Sequence, residues 1–248
     1  MADSQNIPSS SDVFSFLRKG LRAALAGLLA VTATYLGGCA LALSLYGAVF
    51  PPLTGVQLQR QIEAWNDGTS SERRYDPVPL QEMARSLPRA AVAAEDSRFF
   101  EHHGIDWAMV HDVIDDYQSG NDLRGASTIT QQLVKNLFLT THRSYLRKAL
   151  EVPLVFLAEG ILSKKRILEL YLNVVEWGPG VYGAAEASAY HYGQSAAALT
   201  AAQSAGLAAC LPNPLVRRPQ TMGWYQRIIL RRMENLGPLP LPRTRPAP

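Results

Sequence analysis

Two hydrophobic patterns divide the chain. From Ala23 to Gln59 there is no charged residue, and residues 21–50 read LRAALAGLLAVTATYLGGCALALSLYGAVF. Crossing a bilayer as a helix takes about 20 apolar residues, so this run predicts one transmembrane helix over 21–50, stopped by Pro51–Pro52. It outlasts the roughly 7–15-residue core of a cleaved leader, which predicts a retained anchor. Further on the pattern becomes amphipathic. Leu80, Ala84 and Leu87 recur at helical spacing, as do Ile161, Leu168 and Tyr171–Leu172. No alternating strand series and no internal repeat stands out. The expected fold class is mainly α: a single N-terminal transmembrane helix followed by an all-helical domain.

Punctuation sets the expected boundaries. Residues 1–20 form a polar cytoplasmic tail, 21–50 the span and 51–79 a membrane-proximal connector with loop signals at Ser70, Ser71, Pro77 and Pro79. Residues 80–236 form the globular domain and 237–248, GPLPLPRTRPAP, a Pro-rich tail. Arg18, Lys19 and Arg22 flank only the N-terminal end of the span, which places the N-terminus in the cytoplasm and the domain beyond the membrane. Leu36–Cys39 faintly resembles a lipidation site, but the apolar run continues through Phe50, which a lipidated N-terminal cysteine does not need. Apolar side chains between Pro51 and Leu87 fit two readings, an ordinary linker or a lipid-contacting surface.

Composition narrows the function classes. With 47% hydrophobic and 18% charged residues, the 248-residue chain is of a folding kind. A net charge of +3 lacks the dense basic face of a nucleic-acid binder and suits an anionic substrate or a negatively charged membrane surface. The two cysteines, Cys39 inside the apolar run and Cys210, build neither a disulfide framework nor a zinc site.

Four segments concentrate polar chemistry. In Glu95–Asp106 (EDSRFFEHHGID), carboxylates adjoin aromatic rings just after an Ala-rich run. Desolvation beside such rings raises a carboxyl pKa toward that of a general base or acid. A solvated acidic helix end, with His102 and Asp106 tying a turn at Gly104, explains the residues equally well. Gly125–Asn136 (GASTITQQLVKN) offers Ser127 or Thr128 as a helix cap, and helix-start N–H groups and Lys135 for a diphosphate. It lacks the spacing of a nucleotide phosphate loop. Arg143, Arg147, Lys148, Glu151 and Glu159 read either as surface ion pairs or as a cationic rim with Glu151 in a cleft. Pro153 is out of place in that helix. Glu169 and Asn173, on the helix before a Gly-rich turn, read as architectural residues that hydrogen-bond across the domain.

These segments, in this order, resemble the peptidoglycan glycosyltransferases. The family's EDxxFxxHxGxD matches Glu95, Asp96, Phe99, His102, Gly104 and Asp106. Its GGSTxTQQxxKN matches Gly125–Asn136 except for Ala126, RKxxE matches Arg147–Glu151, and ILExYLN matches Ile167–Asn173. A looser GxYGxxxAxxxYFG is echoed over 180–193, with His191–Tyr192 at the Tyr-Phe position. The resemblance covers about Leu80–Pro214. No SxxK and KTG set follows, so the chain resembles the monofunctional biosynthetic transglycosylases.

The resemblance implies a lysozyme-like helical domain that polymerises lipid II onto a growing glycan strand. The bond formed is β-1,4, with inversion at MurNAc C1 and release of undecaprenyl diphosphate. Glu95 would be the general base and Glu151 the second essential glutamate, its role open. Ser127, Thr128, Gln131, Gln132, Lys135, Asn136, Arg143, Arg147 and Lys148 would bind substrate. Asp96, Phe99, His102, Gly104, Asp106, Glu169, Tyr171 and Asn173 would be structural. A divalent cation, Mg²⁺ or Mn²⁺, at the diphosphate is compatible with the motifs but not required by them, and no metal ligands can be named. The expected location is the bacterial inner membrane, single-pass, with a periplasmic domain and other wall-synthesis or division proteins as partners. Ala126 and Pro153 are departures whose local effect a structure must show. The competing readings are a lysozyme-like glycan hydrolase, which has no use for the cations around Lys135, and a non-catalytic scaffold, which has no use for the two glutamates.

Overall fold

The computed structural model describes residues 10–69, 72–119, 127–142 and 144–241. Arg143, Gly125 and Ala126, named above, lie outside them. The chain divides after Ala42 into two units.

The first unit consists of helix α1 (Ser10–Tyr46) up to Ala42. Phe16–Tyr46 is long and apolar enough to cross a membrane, with a mean hydropathy of 1.8 over an 18-residue stretch. The helix begins at Ser10, before the apolar run, and no proline interrupts residues 10–20. It ends at Tyr46, ahead of Pro51–Pro52.

The second unit starts at Leu43 and includes the segment expected as a connector. Thr54 and Gln57 form a reciprocal capping box that starts α2 (Gly55–Asn66). Strand β1 (Arg74–Tyr75) follows. The Ala-rich α3 (Ser86–Glu95) then brings Glu95 to its C-terminal end. Helix α4 (Trp107–Gln118) is capped by Asp106 and α5 (Ile129–Phe138) by Thr128. Ser144 caps α6 (Tyr145–Ile161), and Ser163 caps α7 (Lys164–Val174). Strands β2 (Glu176–Gly178) and β3 (Val181–Tyr182) precede α8 (Ala184–Tyr192), α9 (Ala201–Ala208) and α10 (Gly223–Leu236).

Among the described residues the architecture is mainly helical, with one small sheet in addition. β3 lies between β1, to which it is parallel (Arg74 opposite Val181), and β2, to which it is antiparallel (Glu176 opposite Tyr182). Strands of two or three residues carry no readable alternation, which is why the pattern did not announce them.

Helix α5 packs on α7, α6 and α2, and α3 on α9 and α10. Ile129, Leu133, Leu154, Ile167, Leu168, Tyr171 and Trp177 are fully buried there. Alanines at 90, 91 and 93 of α3 and at 205, 208 and 209 of α9 and its C-terminal cap let these two backbones approach closely. Pro153 sits within α6 without breaking it.

The ILExYLN helix acts as a clamp. Asn173 Oδ1 accepts from Val78 N and its Nδ2 donates to Val78 O, both at 2.9 Å. Glu169 accepts from Leu80 N at 2.6 Å and from Arg166 Nη1. Arg166 also donates to the carbonyls of Tyr46 and Val49, each at 2.7 Å. One face of α7 thereby holds both the entry to the domain and the chain just before Leu80.

Candidate active site

Glu95 is delivered to a cleft by the end of α3, where the helix's partial negative charge and burial both disfavour ionisation. Burial pushes its carboxyl above the usual range, while donation from Gln132 and the charges of Lys135 and Arg217 pull the other way. Gln132 Nε2 donates to Glu95 Oε2 at 2.7 Å, and the amide's oxygen accepts from Tyr171 at 3.1 Å. Glu95 borders two cavities. One, of about 510 Å³, is lined by Ser127, Gln131, Gln132, Lys135, Asn136, Arg147, Lys148 and Glu151. The other, of about 590 Å³, is lined by Asp112, Asp116, Tyr225, Arg232 and Asn235 among others.

The first cavity is the cationic one. Glu151 is buried, with one oxygen on Arg147 Nη1 and the other 2.7 Å from Lys148 Nζ. Arg147 Nε also donates to His142 O at 2.7 Å, and Lys148 to Ser127 Oγ at 3.3 Å. The Lys135 side chain has no hydrogen bond or ion pair among the described residues, and burial lowers its pKa. It is the cation best prepared to accept a new anionic partner.

Several motif residues turn out to build the cleft walls. Thr128 is buried, accepts from Gln131 N and donates to Gly104 O, so its hydroxyl is used within the fold. Gln131 completes the capping box through Thr128 N, although it borders the cavity. Asn136 Nδ2 donates to the Gln132 carbonyl at 2.8 Å, fixing the turn that presents Gln132. Phe99 is fully buried beneath Phe100 and Lys164. Glu159 lies outside the cavity lining, bonded to Thr130 and Lys164.

Asp96, His102 and Asp106 place ligand-type atoms within 4.8 Å of one another. Each carboxylate oxygen is already an acceptor. Asp96 takes His102 Nε2 at 2.9 Å and Ile129 N at 3.0 Å. Asp106 takes Arg98 Nη2 at 2.7 Å and Nε and Met109 N at 3.0 Å. The cluster is a knot joining the first motif to the starts of α4 and α5. At the cationic cavity, each Glu151 oxygen accepts from one cation, Arg147 on one and Lys148 on the other.

A family model described as Transglycosylase matches residues 60–234. The chain belongs to the transglycosylase family. A biosynthetic peptidoglycan transglycosylase of Rhodopseudomonas palustris (strain TIE-1) is 51% identical over 160 residues, 64% of this chain and 67% of that one. The Brucella suis biovar 1 (strain 1330) protein of the same name is 48% identical over 165 residues, covering 65% and 74%. That of Marinomonas sp. (strain MWYL1) is 41% identical over 191 residues, covering 75% and 81%.

Other family-domain residues reach the site without a motif to mark them. Arg60 donates to Glu176 Oε2 at 3.2 Å and to Glu63 Oε2 at 2.8 Å, and Arg60 and Glu176 border the cationic cavity. Glu176 also accepts from Gly180 N at 3.3 Å, and burial raises its pKa. Arg217, on the chain before α10, adds positive charge near Glu95, and Asn213 lines the cationic cavity. Sequence separation hides all four, since each is an ordinary polar residue locally.

Proposed function

We propose that this peptidoglycan glycosyltransferase joins lipid-linked disaccharides into β-1,4 glycan strands, with Glu95 as general base and the first cavity as the seat of the donor diphosphate. The observation that carries the reading is the placement of Glu95 between two cavities, one rich in cations and one lined by Asp112, Asp116, Arg232 and Asn235. Inverting displacement needs nucleophile and leaving group on opposite faces of the reacting carbon. An acceptor hydroxyl arriving beside Glu95 gives its proton to the carboxylate as its oxygen bonds to the donor's C1. The C1–oxygen bond to the diphosphate breaks, and the lipid diphosphate carries the electron pair away. Lys135, Arg147 and Lys148 neutralise the growing charge. Glu151 holds Arg147 and Lys148 in place and does not itself take part in proton transfer.

The α1 span anchors the enzyme, N-terminus inside, and the domain works on the outer face of the cytoplasmic membrane. Leu58, Ile62 and Trp65 support a lipid-facing α2. They lie at helical i, i+4, i+7 spacing and are exposed, Trp65 to 81%. The lipid tail of the donor could then stay in the bilayer while its headgroup enters the cleft.

The test is incubation of the full chain with lipid-linked disaccharide pentapeptide. Polymer is the expected product. Degradation of finished glycan with the lipid-linked substrate untouched would replace the transferase reading by the hydrolase one.

A further inference from the structure

Tyr171 is fully buried and stands one residue away from the base. Its hydroxyl donates to Gln132 Oε1 at 3.1 Å, and Gln132 Nε2 donates to Glu95 Oε2 at 2.7 Å. We propose that Tyr171 is a positioning residue that fixes which end of the Gln132 amide faces Glu95.

A carboxamide has one donor end and one acceptor end of nearly equal size. An ionised carboxylate only accepts, so it needs the NH₂ end, while a neutral carboxyl can donate to the oxygen end. The Gln132 backbone is held by the turn that Asn136 stabilises, but that contact says nothing about amide orientation. Tyr171 supplies the missing constraint, because its O–H requires an acceptor. Burial and the negative charges of Glu95 and Asp96 keep the phenol protonated far above neutral pH, so it remains a donor throughout the working range. The amide is thereby set to stabilise ionised Glu95.

Other groups around Glu95 act through charge, not orientation. They are Asp96 next to it, Lys135 on α5, Arg217 before α10 and Tyr225 on α10. Asp112, Asp116 and Arg232 line the cavity beyond. None of them contacts Gln132 Oε1.

This inference rests on Glu95 being the base. Its test is the pH dependence of kcat/KM for polymerisation of lipid-linked disaccharide by the full chain. The variants are Tyr171→Phe, Gln132→Ala, their combination and Glu95→Gln. The acid limb reports the base in the free enzyme. Tyr171→Phe retains the ring and the packing but frees the amide to turn its oxygen toward Glu95, which favours the neutral carboxyl. The expected result is an acid limb displaced upward by about half a pH unit or more. No further displacement is expected when Tyr171→Phe is added to Gln132→Ala, because nothing is left to orient. An acid limb unmoved in Tyr171→Phe, or moved equally with and without Gln132, overturns the positioning role. Wild-type activity in Glu95→Gln would instead overturn the base assignment, so the two failures are distinct.

Discussion

Glu151 and Lys148 face each other across one turn of α6, Nζ to Oε2 at 2.7 Å, while the same carboxylate's other oxygen holds Arg147. A buried carboxylate closed on two cations is an organiser of positive charge. Its worth should therefore be shared with the groups it organises. Glu151→Gln and Arg147→Ala are each expected to lower kcat/KM by about tenfold or more, in line with loss of a charge-stabilising contact. The double variant should fall short of the product of the two losses by ~1 kcal/mol or more of coupling. Strict multiplicativity, measured by steady-state polymerisation, would mean that Glu151 acts on the substrate independently of Arg147.

Glu95→Gln should reduce polymer formation by about a hundredfold or more, the usual scale for a lost general base. The same change should stabilise the fold near neutral pH. Glu95 has a raised carboxyl pKa in the folded state, so its contribution to stability is present below the unfolded value and is lost as pH rises through the folded one. Glutamine does not titrate. Thermal melts should show the variant above wild type at neutral and alkaline pH, with the gap closing in acid. A gap that widens in acid would contradict the raised pKa.

Sequence made some of this arrangement legible and hid the rest for a physical reason. The apolar run from Leu21 and the helical spacing through Tyr171 are local signals and led to the mainly helical fold. Thr128 and Gln131 satisfy a threonine-x-x-glutamine capping pattern, and Thr128 indeed starts α5. What local pattern could not separate was a polar residue that meets substrate from one consumed by the fold. Thr128 Oγ1 is used by Gln131 N and by the carbonyl of Gly104, 24 residues away in sequence. Arg60 and Glu176 meet across 116 residues, and β1 and β3 are two-residue strands, so neither pairing leaves a periodicity to read. The clamp formed by Glu169 and Asn173 was expected in kind. Its partners, Leu80 and Val78, emerge only from the packed chain.

Gly104 gives a separable test of the first motif. Its φ of +86° lies where side chains are disfavoured, and a Cβ there would strike Val155 Cγ1 and crowd Glu159 Cγ. Gly104→Ala should cost about 2 kcal/mol or more of stability, from backbone strain together with overpacking. Adding Val155→Ala should return only part of that loss, because space is restored but φ is not. Thermal denaturation of the single and double variants measures both contributions. Complete recovery in the double variant would assign the whole cost to the collision.

Pro153 lies two residues beyond Glu151 yet leaves α6 continuous from Tyr145 to Ile161. A proline there deprives the Ala149 carbonyl of its helical donor. Ala149 is exposed, so water can take that place, and the usual interior penalty of about 3 kcal/mol is tempered. Pro153→Ala should therefore raise stability by only about 1 kcal/mol, since the alanine chain also gains freedom when unfolded. Glu151 is fixed by Arg147 and Lys148 on the preceding turn and not by the proline. Polymerisation by Pro153→Ala should accordingly stay within about twofold of wild type, well below a single lost catalytic contact. A tenfold loss of activity accompanied by the gain in stability would show the opposite: that the missing hydrogen bond at Ala149 sets the tilt with which Glu151 presents its two cations.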